Sequence, residues 1–193
     1  TDRVDIDKVN KLKPMWVRDQ RNSWHGVEFP YHGRAKQSVT EMYRHYCEMV
    51  LSIDESVGRV VSALNKMGVT DDTLILFTSD GGHLWGEHGL IDKRCAYEAS
   101  IRIPFLIQWP KTIKPGSRCP AVVTNINVAP TLLDIAGIKI PAEVDGRSIR
   151  DLLSNPDLAE ESPTLLYEYY WDPSFPQTPT TFAIRNERYK LIQ

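Results

Sequence analysis

Thr73 to Lys93, Thr-Leu-Ile-Leu-Phe-Thr-Ser-Asp-Gly-Gly-His-Leu-Trp-Gly-Glu-His-Gly-Leu-Ile-Asp-Lys, constrains this chain more than any other stretch. Its first part, Leu74 to Phe77, is a short unbroken apolar run preceded by Asp71 and Asp72 and ended by polar residues and glycines. That is the pattern of a strand buried on both faces, and it is too short for a helix. Asp80 falls just past the strand's carboxyl end, where open α/β sheets collect ligands in the crevice outside the strand termini. Between Asp80 and Lys93 stand glycines at 81, 82, 86 and 89, together with His83, Glu87, His88 and Asp92. A loop of that composition on a rigid scaffold reads as functional before it reads as a solvated turn.

The elements on either side place this loop in an α/β fold. From Ser38 to Met67 the apolar residues Val39, Met42, Tyr43, Tyr46, Met49, Val50, Ile53, Val57, Val60, Val61 and Leu64 recur at three and four, which predicts a long amphipathic helix packed on the sheet. Ser38 with Glu41 makes a capping box at its start, and Gly68 supplies its stop. After the loop, Tyr97 to Ser100 makes one turn, and Pro104 to Trp109 is a second apolar strand ended by Pro110. A helix begins near Asn127, with Pro130 in its first turn and Gly137 beyond its end, and a short one spans Ser148 to Leu153. Strand and helix alternating in this order argue for parallel strands. From Pro163 the character changes: Leu165 to Tyr170, Thr181 to Ile184 and Arg188 to Ile192 read as antiparallel strands. Residues 1 to 36 read as loop with one short helix, and the clusters Ser23-Trp24-His25-Gly26 and Tyr31-His32-Gly33-Arg34 are either substrate contacts or aromatic pins.

Composition narrows the partners. The 193 residues suffice for one ordinary domain, and a net charge of -2 gives no reason to expect nucleic acid or an anionic membrane. No apolar run reaches the roughly 18 residues of a transmembrane helix. Cys47, Cys95 and Cys119 fit neither a disulfide framework nor a zinc ribbon, so burial as small hydrophobes is expected, above all for Cys47 on its apolar helix face.

Thr78-Ser79-Asp80-Gly81-Gly82, then Gly86-Glu87-His88-Gly89 and Asp92-Lys93-Arg94, resembles the metal-and-sulfate loop of type I sulfatases, members of the alkaline-phosphatase-like superfamily. Asp54-Glu55-Ser56-Val57-Gly58, Asn127-x-x-Pro130-Thr131-Leu132-Leu133 and Asp145-Gly146-Arg147-Ser148 are similar to further family patterns. The resemblance implies that Asp80 binds Ca2+, that Lys93 holds the substrate's sulfate, and that the substrate is a sulfated small molecule or glycan. At position 81, where the family commonly has a second ligand, Gly81 has no side chain to offer. His83 and His88 stand at the rim, to protonate a leaving alcohol, hydrogen-bond a sugar hydroxyl, or, for His88, brace the loop.

The family's Cys/Ser-x-Pro-x-Arg motif, whose cysteine or serine becomes the formylglycine nucleophile, is absent from the chain, as are the paired aspartates of its first strand. The expectation is therefore the second half of a sulfatase catalytic domain over residues 1–160, the truncated start of an antiparallel subdomain over 161–193, and a missing amino-terminal half of the same polypeptide. The fold expected is part of an alkaline-phosphatase-like sandwich, a mostly parallel sheet flanked by helices. A phosphate or phosphonate ester hydrolase of the same superfamily and a non-catalytic carbohydrate-binding relative stand as alternatives.

Overall fold

The computed structural model describes residues 11, 13–19, 38–158, 164–186 and 188–193. The clusters at 23–26 and 31–34 lie outside them, as does the junction near residue 160. The helices are α1 (Met15–Asp19), α2 (Val39–Met67), α3 (Glu98–Ile101), α4 (Val128–Ile135) and α5 (Arg150–Ser154). The strands are β1 (Ile75–Thr78), β2 (Leu84–Trp85), β3 (Ile91–Asp92), β4 (Phe105–Gln108), β5 (Leu165–Tyr169), β6 (Thr181–Arg185) and β7 (Lys190–Ile192).

Helix α2 starts and stops where the sequence requires. The Ser38 hydroxyl accepts from the Glu41 amide, and the Glu41 carboxylate accepts from the Ser38 amide at 2.7 Å, closing the capping box. Gly68 ends the helix in the left-handed region at φ 69°, a conformation that suits glycine. The apolar face of α2 is not laid on the sheet, contrary to expectation. Among the described residues Met49, Leu51, Ile53 and Val60 are exposed, and the helix touches Trp85 through Tyr43 and Tyr46 at ring distances of 5.5 and 4.9 Å. Cys47, on this uncovered helix, is accordingly exposed and not buried; Cys119 is exposed as well, and Cys95 alone of the three is buried.

The α/β class and the small carboxyl-terminal antiparallel sheet stand, but the pairing of β1 with β4 is antiparallel, with Ile75 opposite Gln108 and Thr78 opposite Phe105. A parallel pair needs a crossover, usually a helix laid on the sheet. Here the chain between the two strands is spent on a hairpin and the single turn α3, so it returns in the opposite sense. β2 pairs with β3 as that hairpin, and β5, β6 and β7 form the third, antiparallel sheet. In β6 Thr181 and Ala183 are buried while Phe182 and Ile184 face out, the alternation of a sheet covered on one side.

The core lies beneath the hairpin. Val17 of α1, Leu84, Leu90 and Cys95 are buried together, with Trp16, Tyr97 and Ala99 packed against them. The third sheet is tied to this region by charge: Glu98 accepts from Arg185 Nε at 3.1 Å and pairs with Lys190, whose ammonium also donates to the Ala96 carbonyl at 2.7 Å.

Two glycines separate the backbone's demands. A Cβ on Gly146 would lie 1.8 Å from the Ile126 carbonyl oxygen, whereas one on Gly58, inside α2, meets nothing within 4 Å. Gly146→Ala is expected to destabilise the fold towards the upper end of the about 1–3 kcal/mol typical of overpacking. Gly58→Ala is expected to stabilise it by about 0.5–1 kcal/mol, the helix-interior difference. Urea unfolding of both variants checks the pair; equal effects would mean that the contact at Gly146 is relieved by movement.

Candidate functional site

β1 carries the chain to Ser79 and Asp80, and the backbone there is held from two sides. The Ser79 hydroxyl donates to the Gly81 carbonyl at 2.9 Å. From across the fold the Asn125 amide donates to the carbonyls of Ser79 and Asp80 at 3.1 and 3.2 Å. Asn125 sits in a short turn fixed by Thr124 and Asn127, whose amide oxygen accepts from the Thr124 N–H at 2.8 Å. Asn125 was not singled out in the sequence; the nearby Thr-x-x-Asn capping pattern is the signal that could have found it.

The Asp80 carboxylate projects into the open, its side chain 87% exposed, and Lys93 Nζ stands 3.5 Å from its Oδ2. That separation is an ion pair more than a hydrogen bond. The ammonium is the main reason the Asp80 carboxyl is held below its ordinary pKa. The lysine stem passes over Gly81, where a Cβ would meet its Cδ at an ordinary 3.6 Å, so sterics do not demand glycine there. Gly82 is different. Its N–H donates to the Ser100 carbonyl at 2.9 Å, and a Cβ would sit 2.1 Å from the Ala99 carbonyl oxygen.

The hairpin that presents Lys93 is bent by left-handed residues. Gly86 and Gly89 have φ of 117° and 75°, and three residues with side chains join them: His88 at 59°, Asp92 at 71° and Arg94 at 77°. Each non-glycine in that region costs of order 1–3 kcal/mol and persists where its surroundings over-determine it. Glu87 accepts from the Trp85 N–H at 2.6 Å, and Arg94 pairs with Asp92 while its guanidinium lies 3.4 Å over the Phe175 ring. Arg94 is thus largely buried and engaged, where the Asp92-Lys93-Arg94 run read in isolation is a solvated face. Phe175, distant in sequence, left no trace that sequence reasoning could use.

The two histidines divide. His88 stacks on Tyr97 at 3.9 Å, which suits bracing. His83 packs on Trp85 at 4.3 Å, with its Nδ1 4.0 Å from an Asp92 oxygen. Burial pushes both imidazoles below their ordinary pKa; Asp92 opposes the shift at His83, and Lys13 adds to it at His88. The structure therefore brings Asp80 and Lys93 together, sets His83 beside Asp92, and stacks His88 on Tyr97. A cleft of about 670 Å³, lined by Phe105, Ile107, Val123, Leu152 and Leu165, includes neither Asp80 nor Lys93.

A calcium ion takes six to eight oxygen ligands. Among the described residues no group of three or more His, Cys, Asp or Glu stands together to hold a metal. Asp80 supplies one carboxylate and Gly81 none, so these residues by themselves do not fit the ion. What they can do is offer an exposed ammonium to an anion at the mouth of a glycine-rich loop.

Comparison with known proteins gives this arrangement its context. The model of the Sulfatase family matches residues 13–138, and that of the N-sulphoglucosamine sulphohydrolase C-terminal family matches 86–193. An N-acetylglucosamine-6-O-sulfatase of Bacteroides thetaiotaomicron is 40% identical over 77% of the chain and 27% of its own length. Arylsulfatase K of Xenopus laevis is 36% identical over 87% of the chain and 31% of its own. The chain thus spans less than a third of the length of these relatives. Among solved structures, a protein in complex with its substrate D-glucosamine-2-N,6-O-disulfate superposes with a TM-score of 0.73 at 34% identity, over 96% of this chain and 40% of that one. A phosphonate monoester hydrolase from Silicibacter pomeroyi superposes with a TM-score of 0.73 at 25% identity, over 91% and 40%. With two family models each covering more than half of it, and solved neighbours of alkaline-phosphatase-like fold, the chain belongs to the sulfatase family.

Proposed function

We propose that this chain is part of a sulfuric ester hydrolase acting on sulfated carbohydrates, and that Lys93 receives the sulfate. The observation that carries the reading is the Lys93 ammonium, held over Gly81 and 3.5 Å from Asp80 at the exit of β1. The substrate class is supported by the 40%-identical N-acetylglucosamine-6-O-sulfatase and by the solved relative bound to a sulfated glucosamine.

Hydrolysis of a sulfate monoester breaks the bond between sulfur and the bridging oxygen, leaving an alcohol and inorganic sulfate. An ammonium beside the sulfate donates up to three hydrogen bonds to its oxygens and meets their negative charge, a role that a neutral side chain could not fill. Burial lowers the pKa of His83, which favours the neutral ring as a hydrogen-bonding partner of a sugar hydroxyl over a proton donor to the leaving alcohol. The stack on Tyr97 supports a bracing role for His88. A bare Asp80 carboxylate would repel a bound sulfate. A cation there would remove that repulsion; Ca2+ is the ion the sulfatase resemblance implies, and Asp80 would be one of its ligands. The nucleophile, a formylglycine made from cysteine or serine, is assigned to another segment of a longer polypeptide. The likeness to a phosphonate monoester hydrolase favours one second reading, hydrolysis of phosphonate or phosphate esters on the same frame.

In the full-length enzyme Lys93→Ala is expected to lower kcat/KM for a sulfated glucosamine by a hundredfold or more, in line with about 2.7–4 kcal/mol for one lost oxyanion donor. Lys111→Ala, which removes an exposed lysine paired with Asp72, is the control and leaves turnover unchanged. Equal, mild effects would withdraw Lys93 from the site, and a preference for the matched phosphonate ester would install the second reading.

Two further outcomes concern charge. Calorimetric titration of the isolated 193-residue chain should find calcium binding no tighter than about millimolar, the weak end of protein calcium sites. Tight binding would point to Glu87 and Asp92 as further ligands. In an NMR titration the imidazoles of His83 and His88 should protonate with midpoints below about 6.5. Because their folded pKa values are depressed, their protonation favours the unfolded chain, and stability is lost as pH falls below that value. A midpoint above it would mean that the Asp92 and Glu87 carboxylates outweigh burial.

A further inference from the structure

Lys93 stands between two residues with left-handed backbone, Asp92 and Arg94. The Asp92 end is fixed by the ladder, where it lies opposite Leu84. The Arg94 end belongs to no strand and is held through its side chain. Its guanidinium pairs with the Asp92 carboxylate on one side and covers the Phe175 ring at 3.4 Å on the other. Phe175 belongs to the connection between β5 and β6, which is stiff in its own right. The Ser174 N–H donates to the Asp172 carboxylate at 2.7 Å, the Phe175 N–H to the Asp172 carbonyl at 2.9 Å, and the Thr178 N–H to the Phe175 carbonyl at 3.0 Å. Thr178 is almost completely buried.

We propose that Arg94 and Phe175 are positioning residues, through which the β5–β6 connection holds the left-handed backbone on the Arg94 side of Lys93, braces the ladder-held Asp92 carboxylate and aims the ammonium. The chain runs from the Phe175 ring through the Arg94 guanidinium to the Asp92 carboxylate, and its consequence is the place of Lys93 over Gly81. It rests on the sulfatase reading for its meaning but not for its test. A planar guanidinium suits the post because it can cover a ring with its face while its edge donates to a carboxylate, which an ammonium cannot do. The distant carboxyl-terminal sheet thereby becomes part of the machinery that sets the sulfate contact.

The test uses the full-length protein with Phe175→Leu, Arg94→Gln and Phe175→Tyr, and reads the reductive methylation rate of each lysine by mass spectrometry. In Phe175→Leu and in Arg94→Gln the Lys93 rate is expected to rise by about threefold or more, as its local order is lost. Phe175→Tyr, which keeps the ring, restores the original rate. Lys190, bound to the Ala96 carbonyl and Glu98 beside the same sheet, keeps its rate in all three. With a sulfated glucosamine, Phe175→Leu should lower kcat/KM by about tenfold to a hundredfold, the scale of a misplaced contact. An unchanged Lys93 rate in either variant, or Lys93 and Lys190 rising together because the whole sheet has loosened, overturns the proposal. If the unaltered protein hydrolyses no sulfate ester, the sulfatase reading falls, and the methylation rates still decide the positioning.

Discussion

The close approach of Gly82 to the backbone of Ala99 and Ser100 is the contact on which the site depends. The Gly82 amide reaches the Ser100 carbonyl at 2.9 Å because no Cβ intervenes, and this ties the exit of β1 to the turn α3. The residues between them are thereby closed into a loop with an inside and an outside. Leu84, Leu90 and Cys95 fill the inside against Val17. Asp80 and Lys93, thirteen residues apart, meet on the outside. Without the closure neither the core nor the ion pair has a reason to form where it does.

Among the described residues, several other cations around this loop are committed. Arg94 is taken by Asp92 and Phe175, and Arg185 and Lys190 by Glu98. Lys93 differs, because its partner is a carboxylate that is itself almost wholly exposed. Exposed ion pairs are weak and open to competition. An arriving sulfate can therefore take the ammonium without dismantling the fold, which is what a binding residue requires and a structural salt bridge resists.

Much of this was legible because it is local. The capping box at Ser38, the stop at Gly68 and the strand after Asp72 are set by neighbours within a few turns of chain, whereas the approach of Lys93 to Asp80 was legible only through the resemblance to the sulfatase loop. What the sequence hid is non-local. The antiparallel sense of β1 and β4 depends on how the intervening chain is spent, and the alternation of elements could not reveal it. The exposure of Cys47 depends on what covers α2, not on the periodicity that made its face look buried. Asn125 and Phe175 act on residues far away in sequence, the one through backbone carbonyls and the other through a ring face. The capping pattern around Asn125 marks its turn but not its distant partner, and Phe175 leaves no spacing to read.

The central claim is that Lys93 meets the sulfate of a sulfated sugar beside Asp80. A crystal structure of the full-length protein with a non-hydrolysed sulfated glucosamine tests it most directly. The account predicts a sulfate oxygen within about 2.7–3.2 Å of Lys93 Nζ, with the sugar outside the loop on the His83 side. A sulfate bound elsewhere, with Lys93 still paired to Asp80 alone, would contradict it.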